Sequence, residues 1–221
     1  IIKHHQSKLQ ATYTDELLEV DLGSWSGLTK NEIKDLYPEK IKIWEKEPTE
    51  LSIQREDGTQ FQPIKELLLQ AERFLKYLFK FYSDSNKTIL IVAHNAILRC
   101  LILKLINEPS KGFRRIKLDN TSISICNIDF NNWKDRKVQI QCLNNIAHLQ
   151  PNLPKKATKK RIILVRHGET DWNKQGRFQG QIDIPLNQNG KDQAKAASEF
   201  LKPILIQKAF SSSLSRPRET A

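Results

Sequence analysis

The stretch Arg161-Ile-Ile-Leu-Val-Arg-His-Gly-Glu-Thr170 carries the most informative pattern in the chain. Four consecutive apolar residues, Ile162 to Val165, form a short run with no polar alternation, the pattern of a strand buried on both faces of a parallel sheet. The run ends at Arg166-His167-Gly168, so side chains able to do chemistry stand where a strand would end. In open α/β sheets that is where ligands bind. Arg166 offers a rigid fork of donors suited to phosphate oxygens, and Gly168 lets the backbone approach a ligand closely.

The same arrangement occurs once more. Thr88-Ile-Leu-Ile-Val-Ala93 reads as a second buried parallel strand, followed by His94-Asn95 and a helix from Ala96 to about Ile106. A lone histidine beyond a strand is usually a satisfied structural residue, so the case rests on what surrounds the two. Beyond His167, Ser211-Ser-Ser-Leu-Ser-Arg216 puts a second arginine at the start of a helix, where unpaired N–H groups favour anions. Arginines gathered around a histidine suit phosphoryl transfer, in which positioning and charge stabilisation do most of the work. A neutral imidazole can attack phosphorus and divide one hard step into two.

Further elements follow from periodicity and caps. Thr29 with Glu32 forms a capping box that starts a helix. Pro38 opens another, running to about Lys46. Pro63 opens a third, in which Ile64, Leu67, Leu68, Ala71, Phe74, Leu75 and Leu78 make one apolar face. Ser122–Ile128 and Val138–Leu143 alternate as strands around a polar turn at Asn131-Asn132. Residues 151–160, with two prolines and four lysines, read as a linker. A helix is expected from about Gln188 to Leu201, a short strand near Lys208–Phe210, and a last helix from Ser215.

Bulk properties narrow the function. The 221 residues are 38% apolar and 28% charged, enough for a packed core. The longest apolar run is strand-sized and far too short to cross a membrane, and the first residues lack the apolar region of a signal peptide. Cys100, Cys126 and Cys142 are widely spaced without a CxxC pair, which suits reduced thiols in the cytoplasm. The net charge of +11 admits a phosphorylated ligand or nucleic acid. No nucleic-acid-binding motif accompanies it, and Lys155, Lys156, Lys159 and Lys160 carry part of the excess in the linker. No ligand cluster suggests a metal or another cofactor. His4, His5 and His148 read as surface or packing residues.

Five blocks together resemble the histidine phosphatase superfamily, also called phosphoglycerate mutase-like. They are Val165–Thr170 with Asn173 and Gly176-Arg-Phe-Gln179-Gly180; Asp183-Ile-Pro-Leu-Asn-Gln-Asn-Gly190 with Gln193-Ala194; Ser211–Ala221; Glu19-Val-Asp-Leu-Gly-Ser-Trp-Ser-Gly27; and Val92-Ala-His94-Asn95-Ala-Ile-Leu-Arg99. Pro217 stands where the family usually has alanine.

The resemblance implies an α/β three-layer sandwich, with a mostly parallel central sheet and helices on both faces. It implies that His167 is the nucleophile and that Arg166, Arg216 and His94 hold the phosphoryl group. Asn173, Gln179, Gly180 and Asn95 would contribute to the substrate pocket. Glu19 would be general acid and then base. The implied substrate is a small phosphorylated metabolite, with no nucleic acid or membrane partner. Phosphatase is favoured over mutase, because the 74 residues at positions 20 to 93 leave no room for the long insertion of cofactor-dependent mutases. Mutase-type transfer and a non-enzymatic phosphate-binding fragment are the alternatives.

The blocks stand in circularly permuted order. The family begins with the Arg-His-Gly block, whereas here Ala221 would have to be joined to Ile1 to restore the sequence, putting Ser215–Ala221 and Ile1–His5 in one helix. The chain thus reads as a C-terminal part (residues 1–150), a linker (151–160) and an N-terminal part (161–221) that assemble as one unit. It is either a permutant or, given its lack of any methionine, the middle of a tandem two-domain parent. A ten-residue linker reaches at most roughly 33 Å, enough to cross a domain.

Overall fold

A computed structural model describes residues 10–82, 88–108, 110–130, 133, 135–149 and 161–221. The linker, the Asn131-Asn132 turn and the expected junction of Ile1–His5 with the last helix lie outside the described residues. The chain divides into two compact units, Ile1–Ile146 and Ala147–Ala221.

The first unit is built on two helices. In α3 (Pro63–Tyr82), the apolar positions recur at three and four, and Ile64, Leu67, Leu68, Ala71, Phe74, Leu75 and Leu78 are all buried. Against them packs α4 (Asn95–Leu105), through Ala96, Ile97, Cys100, Leu101 and other residues of the same cluster. Each large apolar side chain buried there contributes on the order of 1.5–3 kcal/mol. Lys104 of α4 also reaches Glu72 of α3 at 2.7 Å. Arg136 donates to the carbonyls of Lys104 and Leu105, meeting two of the acceptors left open at the end of α4.

A smaller cluster of Trp25, Ile41, Leu51, Ile53 and Phe61 lies beside α1 (Lys30–Leu36) and α2 (Pro38–Lys46). Thr29 and Glu32 close the expected capping box, and Pro38 occupies the first turn of α2. A short antiparallel pair, β1 (Ile53–Gln54) with β2 (Gln60–Phe61), was not expected, although Asp57-Gly58 is a turn signal. The longer hairpin pairs β3 (Ile123–Phe130) with β4 (Arg136–Asn145), extending both expected strands.

The second unit holds α5 (Asp171–Lys174), α6 (Gln188–Leu201) and α7 (Ser215–Thr220). α6 has the expected limits and is capped by Asn187, whose side chain accepts from the Gly190 amide at 2.8 Å.

The sheet departs from expectation. Among the described residues, the only ladders are the two antiparallel pairs β1–β2 and β3–β4. Residues 88–93, 161–165 and 208–210 join none of them. The first two stretches are not buried as expected: Val92 is 63% exposed and Leu164 89%. A parallel strand forms its hydrogen bonds with chain far away in sequence, so an apolar run can favour extension without supplying its own partners. The fold described is α/β, made of helices and small sheets.

Candidate active site

In the second unit, the nucleophile candidate has a defined geometry. The Nδ1 of His167 lies 2.7 Å from the Gly168 carbonyl oxygen. A carbonyl only accepts, so in the neutral ring Nδ1 carries the hydrogen and Nε2 keeps a lone pair. That is the form a nucleophile needs.

The loop around this ring is clamped. A Cβ on Gly168 would stand 2.3 Å from the Gly190 carbonyl oxygen, so no side chain fits there. The Gly168 amide donates to Thr220 Oγ1 at 3.1 Å, and that hydroxyl donates to the Arg216 carbonyl at 2.7 Å. The Glu169 carboxylate accepts from Asn187 at 2.8 Å, and side-chain hydrogen bonds from Asn187 and Asn189 hold it below the usual carboxylate range. Thr170 and Asn173 form a reciprocal capping box at the start of α5. Asn173 thus shapes the loop after the histidine.

Arg216 is buried. Its Nη1 donates to the Ile182 carbonyl at 2.8 Å and its Nη2 to that of Gly180 at 2.9 Å. Two of the guanidinium's five N–H groups hold the 180–182 loop, which leaves three. The buried Nε has no hydrogen-bond partner among the described residues, and the same is true of Gln179 Oε1. Asp183 anchors the start of α7, accepting from the Ser215 amide and hydroxyl at 2.7 Å each. Those hydrogen bonds lower the Asp183 pKa. Arg166 is exposed.

In the first unit, Glu19 and His94 meet at the start of α4. His94 is the N-cap residue, extended and exposed. Glu19 Oε1 accepts from the amides of Val20 at 2.9 Å, Ala96 at 3.1 Å and Ile97 at 3.3 Å, while Oε2 accepts from Ala96 at 3.3 Å. The carboxylate therefore sits on the positive end of the helix that follows His94. Asn95 donates to the Leu118 carbonyl at 2.7 Å, which pins the same turn from another side.

The Gly23–Gly27 segment that singles out Glu19 has a structural cause. Gly23 has φ +45°, and a Cβ there would stand 2.4 Å from the Gln54 carbonyl oxygen. Trp25 is buried in the smaller cluster.

Sequence reasoning gave no role to several residues that shape these sites. Asp183 and Thr220 sit inside recognised blocks, but only their contacts give them a purpose. Arg99 lies on α4 about one turn beyond His94, with its guanidinium 5.3 Å from the Phe113 ring centre. Burial pulls its pKa down, and the charge of Glu19 opposes that shift. Burial also pushes the Cys100 thiol up to about 12, so it is a core residue and not a nucleophile. No group of three or more His, Cys, Asp or Glu side chains is placed to hold a metal among the described residues.

Comparison with known proteins identifies the family. The profile of the histidine phosphatase superfamily (branch 1) matches residues 1–141 and 162–221, and the chain belongs to that family. The 2-carboxy-D-arabinitol-1-phosphatase of Triticum aestivum is 30% identical over 198 residues, covering 86% of this chain but 38% of the wheat protein. The metal-independent phosphoserine phosphatase of Arabidopsis thaliana is 48% identical over 64 residues, 27% of this chain and 26% of the relative. The chain thus spans well under half the length of these two relatives. Among solved structures, YhfR of Bacillus stearothermophilus is similar with a TM-score of 0.52 at 20% identity, over 62% of each chain. That likeness concerns the fold.

Proposed function

We propose that this chain hydrolyses phosphomonoesters through a phosphohistidine at His167. The observation that carries the reading is the His167 Nδ1 to Gly168 carbonyl contact of 2.7 Å, which leaves Nε2 as the attacking atom. Nε2 attacks phosphorus and forms a P–N bond while the P–O bond to the leaving group breaks. Glu19 gives its proton to the departing oxygen. Glu19 then takes a proton from water as the water oxygen attacks phosphorus, and the P–N bond breaks to release inorganic phosphate. Oε2, which accepts one amide where Oε1 accepts three, is the oxygen suited to carry that proton. Arg166, the free donors of Arg216, and His94 neutralise the phosphoryl oxygens.

The substrate is a small phosphorylated metabolite; the names of the wheat and Arabidopsis relatives support hydrolysis, and the short stretch between Glu19 and His94 favours it over mutase-type transfer. The reading requires residues 1–150 and 161–221 to act as one unit in circularly permuted order, as a permutant or as the middle of a tandem parent. The uninterrupted apolar sequence at 88–93 and 161–165 supports a parallel central sheet of a three-layer sandwich, because such runs suit strands buried on both faces. The cysteine pattern supports the cytoplasm.

The test is hydrolysis of p-nitrophenyl phosphate in chelator, with trapping of the labelled enzyme. Acid-labile, base-stable phosphate should appear and be absent from His167→Ala. Label persisting in that variant would move the nucleophile elsewhere, and activity lost to chelator and restored by magnesium or manganese would favour metal-assisted hydrolysis.

A further inference from the structure

We propose that Thr220 is a positioning residue for the nucleophile, holding through Gly168 the tautomer and orientation of His167. The inference rests on His167 being the nucleophile, and it concerns a hydroxyl outside the phosphate pocket.

Three contacts make the relay. The Thr220 hydroxyl hydrogen goes to the Arg216 carbonyl at 2.7 Å. A hydroxyl has one hydrogen, so toward Gly168 the oxygen can only accept, which it does from the Gly168 amide at 3.1 Å. Gly168 in turn presents its carbonyl to His167 Nδ1 at 2.7 Å. The direction of each bond is thereby set, with every hydrogen donated from the ring side towards the helix backbone.

Gly168 packs its Cα against the Gly190 backbone, too closely for even a Cβ, so it has no side chain to anchor it and the Thr220 hydrogen bond sets the tilt of its amide. Removing the hydroxyl leaves the amide unpaired on one side of this packed glycine. The residue then tilts, and the carbonyl that fixes the ring tilts with it. Thr220 also lies one turn from Arg216 on α7. A single hydroxyl therefore ties the helix that carries the arginine to the loop that carries the histidine.

The experiment uses the full chain with 15N-labelled histidine at pH about 8, where an ordinary imidazole is neutral. The His167 signals are identified by their loss in His167→Ala. Thr220→Val keeps the shape and removes the hydroxyl. It should lower the Nδ1–H fraction of His167, speed exchange of the Gly168 amide, and reduce kcat about tenfold with KM little changed. Thr220→Ser should restore all three. Unchanged tautomer and kcat in Thr220→Val, or a fall in stability alone, would overturn the proposal. If Thr220→Val does not fold, Thr220→Ala against Thr220→Ser makes the same comparison. If the parent chain lacks phosphatase activity, the functional reading fails. The tautomer and amide-exchange readouts still decide the role of Thr220.

Discussion

Glu19 meets two demands with one side chain. Its carboxylate accepts amides at the start of α4, and the proposed chemistry asks it to give up a proton and recover it. Replacing it by glutamine keeps an acceptor for those amides and removes the acid. Glu19→Gln should therefore lower kcat by about 10²–10⁴-fold while leaving the protein folded. Steady-state kinetics with a melting curve checks both halves. Arg216 differs, because two of its donors hold the Gly180 and Ile182 carbonyls. Arg216→Lys offers one point charge where a planar fork is needed, so it should cost both activity and about 1–3 kcal/mol of stability, measurable by urea unfolding.

Between elements, the α3–α4 contact holds the first unit. Leu75 is 1% exposed within it, so Leu75→Ala should destabilise by about 2–5 kcal/mol. The polar tie is Glu72, whose hydrogen bonds to Lys104 and then Lys76 lower its pKa from 4.5 to about 2. A carboxyl depressed in the folded state stabilises fully above its unfolded value and loses that contribution as pH falls towards about 2. Urea midpoints should therefore drop between about pH 4.5 and 2, and Glu72→Gln should flatten that part of the profile. The element scale was also the most legible in the sequence. α2 and α6 have the expected limits, and α3 has the expected start and buried face because its apolar stripe depends only on neighbours three and four apart.

For the whole molecule, the proposed sheet and the proposed single site each make a prediction. If residues 88–93 and 161–165 are paired, their amides should exchange slowly in hydrogen–deuterium exchange. Rapid exchange would leave them as exposed extended segments. If His94 and His167 serve one site within one chain, mixing the Glu19→Gln and His167→Ala chains should restore no activity. Recovery that grows with concentration would mean that the site forms between copies.

The family was legible because its blocks are local: Arg166-His167-Gly168 and Gly23-Ser-Trp-Ser-Gly27 can be read without knowing what they touch. The helices α1 to α4, α6 and α7 were legible for the same reason, whereas α5 was not expected and the run Ile162–Val165 joins no ladder. The rest depended on contacts between distant residues. That Glu19 caps the helix after His94, that Arg216 holds the Gly180–Ile182 loop, and that Thr220 binds Gly168 are contacts across 34 to 77 positions of chain. Sequence patterns report which faces are apolar and where elements start. They do not report hydrogen-bond partners, because those depend on how distant backbones approach, and that is set when each unit packs its own core.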